Sequence, residues 1–420
     1  MSEPALDILL KEFDARAASR DAARPSWLAA RQGRAMTSFR EKGIPHRRIE
    51  EWKYTDLRGA LESRIAESPK LESLRTGDPF TGIDGLRLLI RDGRADGHMG
   101  EPPRGVELFD LAEPDSAPEW VRENLGAVLS GDAMGEASLA MMGGGLAIRV
   151  AAETETPIHL RFLQSAEAIH FRLLIVLEQG ASLTLLESHG ENRGLANLGV
   201  EAVIGPNAQF SHVRLADAAA GAVEIGEMGI RIARDGSYRG HFSQQGARLS
   251  RVGLTIRLEG ENAEAELSGT AVLGGKLHSD LTTHVEHVAG KTTSRQLFKN
   301  VAGGTSRAVY QGKITVHKGA DGSDSRQTAK AILLGARAEA DLKPELEILA
   351  DDVKCAHGAA VGELDADSLF YLRSRGVPET EARRLLISGF LEETVEGIRD
   401  DVIRAAAWKF IVDGLAKSQS

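Results

Sequence analysis

The sequence predicts a mainly β protein whose core is a sheet wound into a β-helix, with helical regions at both ends. Three observations predict it. From about Leu146 to Leu364 the chain is a series of short apolar-alternating runs separated by Gly, Asn and Asp, with hardly any helical period. Several runs open on one phrase, a turn residue followed by a small one: Gly180-Ala181, Asn207-Ala208, Gly236-Ser237 and Asn262-Ala263. The small members stand at 181, 208, 237 and 263, intervals of 27, 29 and 26. A helical period occupies each end of the chain.

A loose repeat in the twenties is what a coiled sheet gives as it winds, because each coil stacks on the last and its turns recur on one side. Small residues at the corners let the backbone bend tightly. A β-sandwich also has short strands between turns. The recurring phrase, repeated at Gly335-Ala336-Arg337-Ala338, and the unbroken length favour winding. The 45 glycines and 5% aromatic content fit many turns around a core of small and branched aliphatics.

In chain order, residues 1–145 form an N-terminal helical and mixed region. Leu6, Leu9, Leu10 and Phe13 fall on one helical face, and Trp27, Leu28 and Phe39 continue in a second amphipathic stretch. Leu86 to Ile90 and Val106 to Phe109 read as strands, with Pro102-Pro103 and Pro114 in the loops. The Gly143-Gly144-Gly145 run reads as a flexible loop. Residues 146–363 form the β-helix core.

Residues 364–420 form a C-terminal helical region. Pro378 opens a helix with the stripe Ala382, Leu385, Leu386, Phe390, Leu391 and Val395. The next helix carries Val402, Ile403, Ala406, Phe410 and Ile411. These helices cap the last coil, dock a partner, or do both.

Composition narrows the function. Lys plus Arg is 51 and Asp plus Glu 61, a net charge of −10 with no basic block, which argues against nucleic acid. The start, Met1-Ser2-Glu3-Pro4, has neither a basic n-region nor an apolar h-region. The densest apolar run, Leu173 to Leu177, is far short of the roughly 20 residues that span a bilayer. A cytoplasmic protein without a membrane segment is expected. A single cysteine excludes an internal disulfide and fits a reducing compartment.

That cysteine lies in Asp351-Asp352-Val353-Lys354-Cys355-Ala356-His357-Gly358-Ala359. On an extended chain Cys355 and His357 share a face. A thiol beside an imidazole suits iron, zinc or an iron–sulfur cluster, but two ligands are too few, so others must come from elsewhere or from another protein. A buried small cysteine with a satisfied histidine is the plainer reading.

Other motifs carry less. Ala289-Gly290-Lys291-Thr292 resembles the tail of a phosphate-binding loop, but Val285 stands where the first glycine belongs and the context is strand-rich. His278, His284 and His287 are expected as surface or turn histidines on adjacent coils, His284 sharing a face with Glu286 and His287 lying on the other. No nucleophile elbow appears, and neighbours at i, i+2 rarely form a catalytic cysteine–histidine pair. A carbohydrate-active β-helix enzyme is the alternative; it would need clustered carboxylates and exposed aromatics along a groove.

Longer phrases resemble the SufB/SufD family of iron–sulfur cluster assembly proteins: Gln296 to Val301, Ser306 to Ile314, Ala340 to Ile348, Ala350 to Gly358, Leu369 to Gly376 and Glu381 to Leu386. Glu51-Trp52-Lys53-Tyr54-Thr55-Asp56-Leu57 is similar as well. With one cysteine the chain resembles the SufD side of the family rather than SufB. The segment Ser325 to Leu334 departs from the family by its few asparagines, leaving the packing of that coil open.

The resemblance implies a right-handed parallel β-helix between helical regions. It also implies a non-enzymatic scaffold in a cytoplasmic complex with SufB and the ATPase SufC, supporting iron uptake and cluster assembly. His357 matches a histidine at the SufB interface, and Cys355 its neighbour, as metal or nascent-cluster ligands. Leu385, Leu386, Phe390 and Leu391 become candidates for docking SufC. No tightly bound cofactor is expected in the isolated chain, only transient iron or a cluster shared with SufB. The isolated chain could pair with itself as a homodimer.

Overall fold

In a computed structural model of the protein the described residues are 25–66, 77–129, 131–190 and 192–418. The expected face of Leu6, Leu9, Leu10 and Phe13 lies outside them. The chain winds as a parallel β-solenoid with two long sheets and helices before and after it. The first sheet has ten strands, from Arg94–Met99 at one end to Lys354–Gly362 at the other. The second has nine, from Val106–Asp110 to Glu339–Ile348. From Ile158–Leu163 onward successive strands alternate between the sheets, and from Ala168–Leu177 onward each pairs in parallel with the strand two before it. The stack therefore begins with Leu86–Arg91, which pairs with Ile158–Leu163.

The corners explain the recurring phrase. Gly180, Asn207, Asp235, Asn262, Lys291 and Gly322 all take left-handed backbone, with φ of 71°, 57°, 56°, 59°, 57° and 76°. Gly adopts this region freely and Asn and Asp tolerate it, whereas most side chains resist it. A small buried residue follows each turn, then the strand starts. Ser182, Gln209, Ser237 and Glu264 lie in register, so Gly236, rather than Ser237, is the counterpart of Ala181, Ala208 and Ala263. Stacked corners also bond: Asn262 Nδ2 donates to Asp235 Oδ1 at 2.9 Å. The phrase at Gly335 precedes a strand of the second sheet and belongs to the other corner.

Inside, alternate residues fill the core. Leu173, Ile175 and Leu177 stack under Val200, Ala202 and Ile204 in the early coils. Toward the C-terminal end the interior turns polar. Tyr310 Oη lies 3.0–3.1 Å from Gln327, Gln296 and Thr283, and Ser294 Oγ 2.8 Å from Ser325 Oγ. The Ser325 to Leu334 segment thus packs as a regular strand, Asp324–Leu333, whose inward residues bond to the coils beneath.

The N-terminal region covers the outer face of the second sheet. Helix Ser26–Lys42 and helix Ala133–Ala140 pack there around Phe39, Met134 and Leu174. A fully buried ion pair anchors them: Arg172 Nη2 to Glu201 Oε1, 2.7 Å. Arg172 also donates to Ser138 Oγ at 2.7 Å, and Glu201 accepts from the Gly126 and Val128 amides at 2.7 and 2.8 Å. Gly144 and Gly145 are not a flexible loop. They are buried at the start of strand Gly144–Val150, where an added Cβ would lie 2.7 Å from the Gly93 carbonyl or 2.4 Å from that of Arg172.

The C-terminal helices do not cap the stack. They run back along the outer face of the first sheet, burying Ile387, Leu391, Val395 and Ile411 against Val213, Val272 and Val301. Lys299 Nζ donates to the Phe390 carbonyl at 2.8 Å, Gln245 to that of Phe410 at 2.6 Å, and Lys417 reaches Asp217 at 2.6 Å. The last coil is left open. No helix among the described residues is long and apolar enough to cross a membrane.

Candidate functional site at the open coil

The last coil consists of Glu339–Ile348, a corner, and Lys354–Gly362. Each strand ends its sheet, so one edge of each is unpaired. Pro344 fits such a place, because a residue without an N–H is confined to edge strands. The inward residues Leu342 and Leu346 are half-buried, whereas their counterparts Tyr310 and Ile314 one coil below are fully buried. Ile348, Leu349 and Val361 are exposed.

Cys355 and His357 stand on the inward face of this coil, in register with Ser325 and Gln327. The expectation that they share a face holds. Cys355 is half-buried against Ile314, Val316 and Ala320, and its thiol is free. Burial first, then the Asp324 carboxylate, push the thiol above its ordinary range; a hydrogen bond from the Ser325 backbone opposes them. The thiol is therefore protonated at neutral pH and a poor nucleophile. His357 is exposed to solvent. One soft and one borderline donor fit a transition metal, but among the described residues no group of three or more His, Cys, Asp or Glu could hold one.

The histidines of strand His278–His287 differ from expectation. They do not lie on adjacent coils, because a single ten-residue strand holds all three. His287 points inward, is fully buried, and bonds Thr292 and Ser294 at 2.7 and 2.9 Å. His278 and His284 face outward, with His284 3.0 Å from Thr315. The Ala289 to Thr292 stretch is a corner between two strands; Lys291 pairs with Glu261 at 2.6 Å, and no helix follows to cradle a phosphate.

The stripe proposed to dock a partner divides. Leu391 is buried against the first sheet, and Leu386 and Phe390 are half-buried, because the helix spends that face on the chain's own core. Leu385 remains 45% exposed. Sequence reasoning missed the larger exposed pair, Phe370 at 73% and Tyr371 at 56%, on helix Ala366–Ser374, which has no buried residue. Their signal was two adjacent aromatics flanked by Leu369 and Leu372 in one short helix.

Also missed was the charged interior of the middle coils. Glu187, His189, His212 and Arg214 are buried, with Glu187 3.2 Å from His189 and 3.3 Å from His212. Their placement at alternate positions among leucines and valines put them inside, had parity been followed.

A family model described as "SUF system FeS cluster assembly, SufBD core domain" matches residues 161–390, more than half the chain. The match begins within strand Ile158–Leu163 and runs through the open coil and helix Ala366–Ser374 into helix Glu379–Glu392. The chain belongs to the SufBD family. The iron–sulfur cluster assembly protein SufD of Escherichia coli is 29% identical over 86% of this chain and 87% of its own. A SufBD family protein of Synechocystis is 30% identical over 84% of each. A chloroplastic protein of Arabidopsis thaliana, ABCI7, is 27% identical over 86% of this chain and 81% of its own. As a SufBD protein, the chain carries its Cys355–His357 pair inside the matched core domain, on the last coil of the solenoid.

Proposed function

We propose that this protein is a non-catalytic scaffold subunit for iron–sulfur cluster assembly. Its open coil pairs with the corresponding coil of SufB, and its C-terminal helices receive SufC. The observation that carries this reading is the uncovered last coil, which combines two unpaired strand edges, exposed Ile348, Leu349 and Val361, and an incomplete donor pair in Cys355 and His357. An edge strand with exposed apolar groups is a surface for a partner, since unpaired N–H and C=O groups template further pairing. A half-set of soft donors there suits a site completed by the partner, with iron and the nascent cluster as cargo.

Exposed Phe370, Tyr371 and Leu385 offer SufC a separate surface on the neighbouring helices. The carbohydrate-active alternative loses support, because the exposed aromatics among the described residues sit on a helix rather than along the solenoid. Co-expression with SufB and SufC, followed by anaerobic visible absorption of wild type and His357→Ala, tests the reading. A stable complex whose cluster absorbance disappears in the variant is expected. Undiminished absorbance would remove His357 from the assembly site, and failure to form any complex would remove the scaffold role.

A further inference from the structure

Under the open coil, the inward face of the first sheet carries a polar column. Gln296, Gln327 and His357 stand in register on three successive coils. Both glutamines are buried. From the second sheet the Thr283 and Tyr310 hydroxyls reach the same column. Both donate to Gln296 Oε1, at 2.8 and 3.1 Å, and Tyr310 Oη accepts from Gln327 Nε2 at 3.0 Å.

That network uses only one end of the Gln327 amide. Its Nε2 end lies against Gly312 on the coil beneath, where an added Cβ would stand 2.0 Å from Nε2 and 2.5 Å from Tyr310 Oη. A glycine inside a strand weakens it and marks a close approach; here it makes room for the amide. The two ends of an amide diverge, so Oε1 lies on the side away from Gly312. That oxygen is buried and has no hydrogen-bond partner among the described residues, a costly state for a carbonyl. In register above Tyr310, Gly312 and Ala329 stand Leu342, Pro344 and Ala359, whose side chains cannot hydrogen-bond. His357, directly above Gln327, can. Adjacent strands lie about 4.8 Å apart, which brings an imidazole within reach of an amide on the strand below.

We infer that Gln327 is a positioning residue for His357: its Oε1 accepts one imidazole N–H and so fixes which ring nitrogen keeps its lone pair for iron. The inference rests on the proposed role of His357 as a donor to the cargo. A metal-ligating histidine commonly donates its other ring N–H to a carboxylate or carbonyl, which sets both tautomer and ring orientation. The exposed His357 ring finds that support in the coil beneath. Held from below, its free nitrogen faces away from the stack, toward the partner's coil. Tyr310 and Gly312 act one step further back, by keeping the amino end of the amide engaged.

The first test uses the full chain alone, with ¹⁵N-labelled histidine observed by NMR at about pH 8, where free imidazole is neutral. His357 is identified by the signals that His357→Ala removes. One tautomer is expected to dominate in wild type and in Gln327→Glu, which keeps an acceptor oxygen. Gln327→Leu should relax to the tautomer mixture of free imidazole. Should Gln327→Leu fail to fold, Gln327→Asn withdraws the carbonyl by one methylene and takes its place. The second test measures anaerobic cluster absorbance in the complex with SufB and SufC, where losing such a support should lower the yield by about tenfold in Gln327→Leu with both partners retained. A His357 tautomer unchanged by loss of the Gln327 carbonyl would overturn the inference whatever the cluster yield. Full cluster yield in His357→Ala would overturn instead the assembly-site reading on which it rests.

Discussion

Ser325 and Cys355 are register partners at the end of the first sheet, and the Ser325 backbone bonds the Cys355 sulfur. The serine hydroxyl faces down the stack to Ser294, 2.8 Å away. The cysteine is thus the last member of a buried polar column, while His357, two residues on, is open to solvent.

This difference ranks the two donors. A metal must displace the proton of a thiol whose pKa is raised, whereas an exposed imidazole binds in its neutral form. His357→Ala should therefore reduce cluster yield in the co-purified complex more than Cys355→Ser does. Anaerobic absorbance per complex measures it; a larger loss in Cys355→Ser would reverse the assignment. Neither change should alter stability by more than about 1 kcal/mol.

The two proposed partner surfaces should separate genetically. Val361→Glu, on the open coil, is expected to abolish co-purification of SufB and spare SufC. Phe370→Ala, on helix Ala366–Ser374, should do the opposite. Both side chains are exposed, at 47% and 73%, so the isolated variants should unfold within about 0.5 kcal/mol of wild type. Loss of both partners in either variant would argue against two distinct surfaces.

Glu201→Ala should damage the fold more than any of the substitutions at the open coil. It strands the fully buried Arg172 guanidinium and three backbone amides. Breaking such a pair costs about 3–5 kcal/mol. Urea unfolding would register this as a lower midpoint; a loss under about 1 kcal/mol would show that the site rehydrates.

Mild acid should weaken the fold through its buried histidines. His241 and His287 have folded pKa values of about 4 through burial, below the ordinary histidine value of 6.5. Between pH 6.5 and about 4 the unfolded chain holds these protons and the folded chain does not. Their contribution is therefore intact above pH 6.5 and declines as pH falls toward 4, by about 2 kcal/mol per histidine at pH 5. His287→Asn should flatten the pH dependence of the urea midpoint, and an unchanged slope would contradict the mechanism.

Corner geometry predicts that two substitutions at one position differ in cost. Asn207, at φ 57°, should accept Gly with little change, while Asn207→Val should cost about 1–2 kcal/mol. Equal stability of the two variants would mean that the corner relaxes.

The winding was legible because corners repeat chemically: a residue tolerant of left-handed backbone, then a small one, then a strand. The phrase missed by one position at Ser237 because Gly236 fills both roles of turn and small residue in the string of letters. Face assignments by alternation were sound for Cys355 with His357 and for His284 with Glu286. Placement of the histidines on separate coils failed because strand length was underestimated. Where the C-terminal helices lie was not legible at all. Their apolar stripe shows that a face is buried, and only the fold decides whether it meets the end of the stack or its flank. Pro344 was the overlooked hint that the second sheet ends there.

A solenoid coil is held by the coil on either side, and the final one has a neighbour on one side only. Its strands should fray first, opening to solvent while the Tyr310 network below stays intact. On the proposed function the missing neighbour is another protein, and amide exchange in Lys354–Gly362 would then report on assembly more sensitively than on folding. Under that proposal the donor pair rides on the segment that would gain its full rigidity on partner binding, so capture of cargo and recognition of the partner would draw on the same ordering step.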